Sequence, residues 1–400
     1  MIESSAFVAV PMAGMTLSQM GAEVIRFDRL EGGLDARRMP YSPSGSSLFW
    51  SGMNKGKKSI AVDMKNPEGK DLITNLITAP GKDAGLFLTN LKVKGWLDYE
   101  TLSELRSDII IVTLKGDRQG RPQVDYTVNP ALGIPEITGH EGSTEPVANA
   151  IPAWDMIAGN MCVSSLLAAE RYRLRHGVGQ DVEIALKDVA AAAIGHLGMI
   201  ADSTLNTDDR SKAGNALYGA YGKDFLCADG NRVMIIGLTS RQWSGILKAT
   251  DTTEQFKNLE NEKNINLKDE ATRWKWRHEI TAILEPWFKT RAVEDFARDF
   301  DNTGLTWSVF RSVKEALEFD PDLSEDNPLF KKIKQPEAGE FLVPRHPANF
   351  SKVDNTEAKG APALGEHTEE ILGDILHLSD IEISNLFDKG VVASPTYNKN

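Results

Sequence analysis

One aspartate stands at the start of a long apolar, helix-forming run. Asp155 follows Pro152 and Trp154, and the run continues to about residue 173. A proline and an acidic residue in the expected first turn predict that a helix begins here. The carboxylate either caps this helix, or it is a nucleophile whose charge the free N–H groups and the helix dipole favour. The neighbouring tryptophan would limit the access of water to a reactive acyl intermediate.

The composition excludes several classes of partner. The chain has 400 residues, of which 41% are hydrophobic, and a formal net charge of −12. An acidic surface disfavours nucleic acid and anionic membranes, because both are polyanions. The sequence has no run of 18 apolar residues and no signal-peptide pattern, so neither a membrane span nor secretion is expected. With two cysteines in apolar contexts, Cys162 and Cys227, we expect a cytoplasmic protein.

The sequence lacks the motifs of the common cofactor and hydrolase sites. No G-x-G-x-x-G follows an expected strand, and there is no P-loop, H-E-x-x-H, C-x-x-C or G-x-S-x-G. The seven histidines are scattered, which predicts no metal site. We therefore expect no permanently bound cofactor, and chemistry centred on a carboxylate becomes the favoured hypothesis.

The first half of the chain alternates apolar strand patterns with helical patterns, which predicts an α/β fold with a parallel sheet covered by helices. The expected strands are 22–28, 57–64, 83–90, 109–116 and 179–186, and the expected helices are 15–20, 66–78, 99–108 and 187–203. A polar stretch after residue 206 indicates a linker. The Asp-Gly pair within 224–237 predicts a hairpin, and tryptophan-rich helical segments follow to about residue 317.

Six phrases, in the same order, resemble the class III CoA-transferases (the CaiB/BaiF type). They are AEVIRFD with GGLD (22–35), NKGKKSIAVDMKNPEGKDL (54–72), FLTNL (87–91), AWDMIAG (153–159), GQDVEIALKDV (179–189) and LGEHTEEIL (364–372). The resemblance spans almost the whole chain. Two departures stand out. Residues 1–3 meet only the end of the family's first strand, so either the start lies upstream or that strand is short. The G-G-G-G-Q loop of formyl-CoA transferases is missing, which disfavours a formyl or oxalyl substrate.

The resemblance implies an architecture. A Rossmann-like large domain is expected from 1–205 and is completed by a return segment, 329–400. A smaller α+β domain with its linkers is expected at 206–328. The family also implies a homodimer of two interlocked chains.

The resemblance implies that Asp155 is the nucleophile. Its carboxylate would attack a thioester, forming an anhydride and then an aspartyl-CoA thioester, without ATP. CoA would enter only as part of the substrate. Positions that match the family's CoA contacts are Val8, Ala9, Arg29, Val62, Lys65, Asn90 and Leu91, and we add Arg37, Arg38 and Tyr126 as further candidates. The alternative for the basic residues is solvated surface charge, and for Tyr126 an ordinary core or loop position.

A substrate pocket is expected near residues 214–222. Backbone N–H groups around Gly214 and Asn215 are candidate donors to an oxyanion, and Tyr218 and Tyr221 are candidate contacts to the acyl group. Aromatic residues at this spacing are also common in cores.

The favoured hypothesis is CoA transfer between two carboxyl groups of the same molecule, and three alternative functions stay open. The first is an intermolecular CoA-transferase that uses a separate acid as acceptor. The second is an acyl-CoA racemase, which pairs the aspartate with a histidine; the matching stretch 123–126 here reads Gln-Val-Asp-Tyr and has none. The third is a non-catalytic acyl-CoA-binding protein.

Overall fold

The β-strands position the candidate residues. A computed structural model describes residues 1–395 of the chain. Within these residues the strands are β1 (Ile2–Ser4), β2 (Ile25–Asp28), β3 (Lys58–Val62), β4 (Leu86–Thr89), β5 (Ile110–Lys115), β6 (Gln180–Ala185), β7 (Tyr221–Leu226), β8 (Arg232–Gly237), β9 (Thr306–Val309), β10 (Phe330–Gln335), β11 (Gly339–Pro344) and β12 (Val392–Ala393).

The helices lie between these strands. They are α1 (Ala9–Gln19), α2 (Leu48–Met53), α3 (Pro67–Ile77), α4 (Tyr99–Leu105), α5 (Asp125–Ala131), α6 (Ile134–Ile137), α7 (Ala153–His176), α8 (Leu186–His196), α9 (Met199–Leu205), α10 (Ser240–Ala249), α11 (Thr253–Lys263), α12 (Glu270–Lys275), α13 (Arg277–Lys289), α14 (Ala297–Thr303), α15 (Val313–Phe319), α16 (Thr368–Glu370) and α17 (Asp380–Asp388). Short 3-10 turns occupy Val293–Asp295 and Pro321–Leu323, and a π-helical turn occupies Ile371–Ile375.

A seven-stranded sheet forms the core of the first half of the chain. Its strand order is β12-β3-β2-β1-β4-β5-β6, and all pairs are parallel except β12 with β3. The central strands are buried because helices cover both faces. Strands β4 and β5 are largely apolar, whereas β1 and β2 also carry the buried charged residues Glu3, Arg26 and Asp28. Ile60, Phe87 and Ile111, from three different strands, are almost fully buried in one cluster. The predicted α/β class with a parallel sheet is therefore confirmed.

The strand order identifies one edge of this sheet as the expected ligand site. The order in which successive strands are added to the sheet reverses between the parallel neighbours β1 and β4. Strands β2 and β3 extend the sheet on one side of this pair, and β5 and β6 extend it on the other side. In doubly wound folds, ligands bind beyond the carboxyl ends of the strands at such a switch point. Residues that follow β1, β4 and β5 are therefore candidates for the site.

Two elements differ from the sequence expectation. The helix expected at 15–20 begins earlier, at Ala9. The proline at position 11 does not prevent this, because it falls in the first turn, where no N–H is needed. The long helix expected over 187–203 is broken into α8 and α9 at Gly198, which has a φ of 75°. A left-handed residue cannot continue a right-handed helix.

The chain divides into two compact units. The large unit contains residues 1–132, 149–207 and 321–395, and the small unit contains 133–148 and 208–320. The segment 133–148 was expected in the large domain. It clusters with the small unit because Gly214 donates its N–H to the Gly139 carbonyl at 3.0 Å and Arg277 pairs with Glu141 at 2.6 Å.

The small unit is an antiparallel sheet packed against helices. Strands β7, β8 and β9 pair antiparallel, so the hairpin predicted from the Asp-Gly pair is present. Aromatic rings fill the core; among them Phe225 stacks on Phe288 at 4.4 Å between ring centroids. The tryptophan-rich segment therefore supplies packing, since such rings bury large apolar areas.

Candidate active site

Asp155 lies in the first turn of α7, but it does not cap the helix. The N-cap position is Pro152, whose side chain accepts no hydrogen bond. The cap comes from Asp125, at the start of α5. One oxygen of its carboxylate, Oδ2, accepts the N–H of Trp154 at 2.7 Å and the N–H of Asp155 at 3.2 Å. A carboxylate 30 residues away in sequence thus satisfies the amides that a local cap would serve.

The capping carboxylate is held in a buried setting. Asp125 is 2% exposed, and the indole N–H of Trp154 donates to Asn129 Oδ1 at 3.0 Å. These bonds fix the start of α7 to α5. Within residues 1–395, no hydrogen bond engages the Asp155 carboxylate itself, so its oxygens are available for a reaction.

The setting makes Asp155 more basic than an ordinary aspartate. Burial raises the pKa of its carboxyl to about 6, and the charge of Asp125 adds to the rise because like charges repel. At pH 7 about nine-tenths of the carboxyl is still ionised. Asp155 therefore combines a negative charge at neutral pH with weak solvation, and both favour nucleophilic attack.

A cavity of about 610 Å³ opens beside Asp155 in the large unit. Its walls are the segments that follow β1, β4 and β5, together with the end of β6. The lining residues include Ala6, Phe7, Val8, Ala9, Asn90, Leu91, Lys92, Lys115, Arg118, Gln119, Arg121, Gln123, Glu183 and Leu186. The volume lies in the range of small-molecule sites, and its place at the carboxyl ends of the strands agrees with the switch-point rule.

The turn between β1 and α1 is clamped by Asn90. The Asn90 side chain accepts the Ala6 N–H at 3.0 Å and donates to the Ala6 carbonyl at 2.9 Å. Phe7 follows with a φ of 66°, and α1 begins at Ala9. The Asn90 amide was expected near CoA; in the structure it lines the cavity while its polar atoms hold the turn. The first-turn N–H groups of α1 have no acceptor within their own helix, and Val8 and Ala9 line the cavity.

A buried ionic network supports the same turn. Lys57 Nζ donates to Glu3 Oε1 at 2.8 Å, to the Pro11 carbonyl at 2.9 Å and to Asn54 Oδ1 at 3.0 Å. Ser5 Oγ also donates to Glu3 Oε1, at 2.6 Å. Three acceptors match the three hydrogens of an ammonium group, so the Lys57 and Glu3 side chains form an ion pair that is closed to solvent.

Arg26 extends this network to the loop that follows β2. Its guanidinium pairs with Asp28 at 2.8 Å and with Asp35 at 2.7 Å, and it donates to the Ser5 carbonyl at 3.1 Å. A Cβ on Gly14 would lie 1.7 Å from Glu3 Oε2, so α1 can pack over the carboxylate only with a glycine at that position. The network ties β1, β2 and α1 together beneath the cavity.

A second cavity, of about 640 Å³, also lies in the large unit. Besides Leu91, it contains two of the expected CoA contacts, Arg29 after β2 and Lys65 after β3. Its other lining residues are Ser4, Leu30, Glu31, Asp63, Met64, Leu91, Lys92, Val93, Trp96 and Leu97. Leu91 and Lys92 line both cavities.

The remaining expected CoA contacts lie elsewhere. Val62 is fully buried in the core of the sheet, so its side chain is not available to a ligand. Arg38 lies over the rings of Phe7 and Phe49, at 5.5 Å and 5.3 Å from their centroids. Arg37 lines a separate cavity of about 480 Å³. Tyr126, on α5, is 55% exposed and is not among the residues that line the Asp155 cavity.

The four expected substrate-pocket residues belong to the small unit. Gly214 has a φ of 59°, and the Asn215 side chain hydrogen-bonds Asp224. Tyr218 packs against Trp274 at 5.0 Å between ring centroids. Tyr221 is 1% exposed, and its hydroxyl lies 3.1 Å from Thr281 Oγ1. Tyr221 is therefore a core residue, which was the alternative interpretation.

Several residues of the site were not singled out from the sequence. Asp125 sits in the stretch compared with the racemases, but its carboxylate was given no role. The cations Lys92, Lys115, Arg118 and Arg121 lie at or after the carboxyl ends of strands β4 and β5 and line the cavity. Their positions after expected strands were the signal that could have found them. Within residues 1–395, no cluster of three or more His, Cys, Asp and Glu side chains could hold a metal ion, and no helix is long and apolar enough to cross a membrane.

Comparisons with known proteins point to one family. The sequence profile of CoA-transferase family III matches residues 1–368. The chain is 50% identical to a 2-methylfumaryl-CoA isomerase from Chloroflexus aurantiacus over 98% of this chain and 97% of that protein. It is 27% identical to the human succinyl-CoA:glutarate CoA-transferase over 96% and 87% of the two chains. A CaiB/BaiF family protein from Brucella suis has the same fold, with a TM-score of 0.75, 23% identity, and 94% and 97% of the chains covered.

Proposed function

The chain belongs to CoA-transferase family III, and on this premise we propose that it moves CoA between the C1 and C4 carboxyls of mesaconate. It would convert 2-methylfumaryl-CoA to 3-methylfumaryl-CoA within one site, as an intramolecular transferase of the type used in carbon fixation by the 3-hydroxypropionate route. The observation that carries the chemistry is the ionised, unbonded Asp155 carboxylate beside a cavity. The choice of substrate is supported by the 50% identity to the Chloroflexus isomerase.

The proposed reaction conserves the thioester. Asp155 attacks the thioester carbonyl, the CoA thiolate leaves, and an anhydride joins Asp155 to the C1 acyl group. The thiolate then attacks the aspartyl carbonyl, which gives an aspartyl-CoA thioester and a free C1 carboxylate. The C4 carboxylate attacks that thioester, the CoA thiolate leaves again, and a second anhydride joins Asp155 to the C4 acyl group. The thiolate then attacks the C4 carbonyl, which forms the C4 thioester and releases the Asp155 carboxylate. One thioester replaces another, so no ATP and no permanent cofactor are required.

The cavity offers groups for each charge in this sequence. The backbone amides of Val8, the N-cap of α1, and of Ala9, its first residue, are the donors that we propose for the oxyanion, in place of the amides near Gly214 and Asn215. Lys92 and Lys115 pair with Glu183, at 3.3 Å and 2.6 Å. Arg118 is exposed at the cavity wall. Such cations would hold the substrate's free carboxylate while the other carboxyl reacts.

Isotope labelling tests the proposed function. The protein is incubated with 2-methylfumaryl-CoA and labelled free mesaconate, and the two thioesters are separated by mass-resolved chromatography. We expect unlabelled 3-methylfumaryl-CoA. Label in the CoA ester would support the alternative, an intermolecular CoA-transferase, which is the activity named for the human relative. Absence of both products would reject the mesaconyl substrate.

Replacing Asp125 is expected to shift the pH dependence. Asp125→Asn keeps an oxygen that accepts the Trp154 and Asp155 amides but removes the negative charge that raises the Asp155 pKa. Asp155 must be ionised to react, so wild-type kcat/KM should fall as the pH drops below about 6. In the variant this acid limb should lie at lower pH. The measurement is kcat/KM between about pH 4.5 and about pH 8. This range includes the raised pKa of about 6 and extends toward the ordinary carboxyl pKa of about 4.

A matched control removes one charge far from the site. Asp71 lies on α3 and is exposed, so Asp71→Asn should leave the acid limb in place. An unchanged limb in Asp125→Asn would contradict the proposed coupling between the two carboxyls.

We also propose a homodimer located in the cytoplasm. Large apolar side chains on α7 and α9 and at the end of α8 are exposed, from 38% to 82%: Met156, Ile157, Met161, Leu167, Leu197, Ile200 and Leu205. Exposed apolar side chains on neighbouring helices are typical of an interface where they form one patch, and a second copy of the chain is the occupant that the family resemblance implies. The buried free thiols Cys162 and Cys227 suit a reducing compartment.

The dimer is expected to survive dilution. Interlocked chains separate only if one of them unfolds. Sedimentation should therefore give a dimer even at protein concentrations of about 1 nM, which is a dissociation constant typical of tight complexes. A monomer that appears on dilution with an unchanged circular dichroism spectrum would rule out interlocking.

A further inference from the structure

We propose, building on the reaction proposed above, that the segment 133–148 is a strap through which the small unit holds Asp155 in its reactive position. The strap leaves the large unit just after α5, which carries Asp125, and returns just before α7, which carries Asp155. It therefore joins the two helices whose contact holds the nucleophile. Glu141 and Lys212, which anchor the strap, are then positioning residues for the CoA transfer.

The strap is a closed loop with stiff ends. The Val147 N–H donates to the Pro135 carbonyl at 3.1 Å, so the outgoing and returning ends lie side by side. The short helix α6 occupies the outgoing end. Pro146 and Pro152 restrict the returning end, because proline fixes the backbone angle φ. Since the two ends are bonded to each other, a displacement of the strap reaches α5 and α7 together.

An ion pair anchors the middle of the strap. Arg277 Nη2, on α13, donates to Glu141 Oε1 at 2.6 Å. His278 Nε2 lies 3.3 Å from the same oxygen, and the charge of Lys223, on β7, also acts on this carboxylate. The Arg277 guanidinium is itself held over the Trp274 ring, 4.2 Å from the ring centroid. Basic groups from two elements therefore converge on one carboxylate of the strap.

Two further contacts hold the strap on either side of this ion pair. Gly214 donates its N–H to the Gly139 carbonyl at 3.0 Å. The Lys212 ammonium donates to the Glu145 carbonyl, and Lys212 is buried, with 7% of its surface exposed. A buried charge needs a hydrogen-bond partner, because its desolvation is otherwise costly. Lys212 therefore fixes the returning end of the strap.

The two ends of the strap continue into the residues that set up the nucleophile. Asn129, near the end of α5, accepts the Trp154 indole N–H at 3.0 Å and the Asn149 amide N–H at 3.5 Å. Asn149 is the first residue after the strap. Asp125 accepts the backbone amides of Trp154 and Asp155. A shift of either helix would therefore change the orientation of the Asp155 carboxylate and its distance from the Asp125 charge.

Charge reversal in the middle of the strap tests this inference. Glu141→Arg places like charges against each other at Arg277, so the strap should leave its anchor. We expect kcat for the CoA transfer to fall on the order of tenfold or more with little change in KM, because a misplacement of about 1 Å can cost about a hundredfold in rate. The acid limb of kcat/KM should also move to lower pH, since a looser junction lets water reach Asp155 and separates it from Asp125.

Two further variants separate positioning from a general loss of stability. Arg277→Glu in the Glu141→Arg background restores opposite charges, and it should recover part of kcat and return the acid limb toward its wild-type position. Glu285→Arg reverses a charge on the same helix, at an exposed position that pairs with Lys289, and it should leave both quantities unchanged. Absence of rescue by Arg277→Glu, or an equal loss in Glu285→Arg, would overturn the inference.

The second anchor gives an independent check. Lys212→Met keeps the apolar part of the side chain but removes the donor to the Glu145 carbonyl. It should lower kcat and shift the acid limb in the same direction as Glu141→Arg. A loss of stability with kcat and the acid limb unchanged would mean that Lys212 only supports the small unit, which contradicts its role as a positioning residue.

Hydrogen exchange separates this inference from the proposed reaction, because it needs no turnover. Mass spectrometry measures amide exchange at neutral pH in Glu141→Gln, which removes the charge and keeps the shape of the side chain. Peptides that cover 125–132 and 149–157 should exchange faster than in the wild type and in Glu285→Gln, since their local opening becomes easier. That result supports the strap even if the protein does not isomerise mesaconyl esters. Unchanged exchange in both peptides would overturn the inference.

Discussion

Asp155→Asn is expected to lower kcat for the CoA transfer on the order of 10⁴-fold or more, the scale on which loss of a covalent nucleophile acts. Asparagine has the same shape, and the helix start would still be capped by Asp125. Its amide cannot form an anhydride or a thioester with CoA. The rate is measured by chromatography of the two thioesters. Mass spectrometry of the wild type, quenched during turnover, should find CoA attached to the peptide that carries residue 155, and the variant should lack it.

The stability of the same variant controls for misfolding. The raised pKa, about 6 against 3.8 in the unfolded chain, means that the unfolded state binds fewer protons than the native state between these two values. Wild-type stability therefore falls as the pH rises through this window, and above pH 6 the full cost is present. Asp155→Asn removes the charge and should be more stable than wild type at pH 7, by about 1–3 kcal/mol. The difference should vanish below about pH 4.

These opposite changes are diagnostic. Replacement of a carboxylate that binds or holds other groups would lower the stability of the protein, and loss of a simple N-cap would lower it by about 1 kcal/mol. Replacement of a catalytic group that is held in a poorly solvated position should lower the activity of the enzyme and raise its stability. Activity of Asp155→Asn within about tenfold of wild type would reject the nucleophile role.

The position of Asp155 could be predicted from the sequence, but the way it is held could not. A proline, a tryptophan and an acidic residue before an apolar run indicate the first turn of a helix, and α7 begins there. The cap comes from Asp125, which is distant in sequence and meets α7 only through tertiary packing. A local pattern contains no information on such a partner, so the sequence suggested Asp155 itself as the cap.

The same limit applies to the fold. Alternation of apolar strands and helices predicts β2 to β6 and the helices α3, α4 and α7 between them, because those elements are buried and periodic. The short helices α2, α5 and α6 were not predicted. Strand β1 has three residues, yet it occupies the centre of the sheet through its pairing with β2 and β4. Strand β12 has two residues and pairs antiparallel with β3. Such short strands are specified by their neighbours and by no pattern of their own.

The buried ionic network shows why two adjacent lysines contribute differently to the stability of the protein. Lys57 and Lys58 are consecutive in the N-K-G-K-K-S phrase. Successive side chains of an extended segment point to opposite sides. Lys57 enters the buried network with Glu3, whereas Lys58 pairs with Glu23 and Glu370 at the surface, with 27% of its side chain exposed.

Replacing these two lysines should therefore give very different losses of stability. Lys57→Met leaves the Glu3 carboxylate buried without its counter-ion, and we expect the free energy of unfolding to fall by about 3–5 kcal/mol. Lys58→Met loses exposed ion pairs and should cost less than about 1 kcal/mol. Chemical denaturation at pH 7, followed by circular dichroism, measures both.

A double variant identifies the cause of the larger loss. Glu3 Oε2 has no hydrogen-bond partner within the described residues, so the carboxylate depends on Lys57 for compensation of its charge. Glu3→Gln in the Lys57→Met background removes the unpaired charge and should restore part of the lost stability, whereas Glu3→Gln alone should destabilise the wild type. If Lys57→Met and Lys58→Met lose equal stability, the buried pair does not hold the β1–α1 turn. Because that turn carries Val8 and Ala9 to the Asp155 cavity, a looser turn should also lower kcat more than it raises KM.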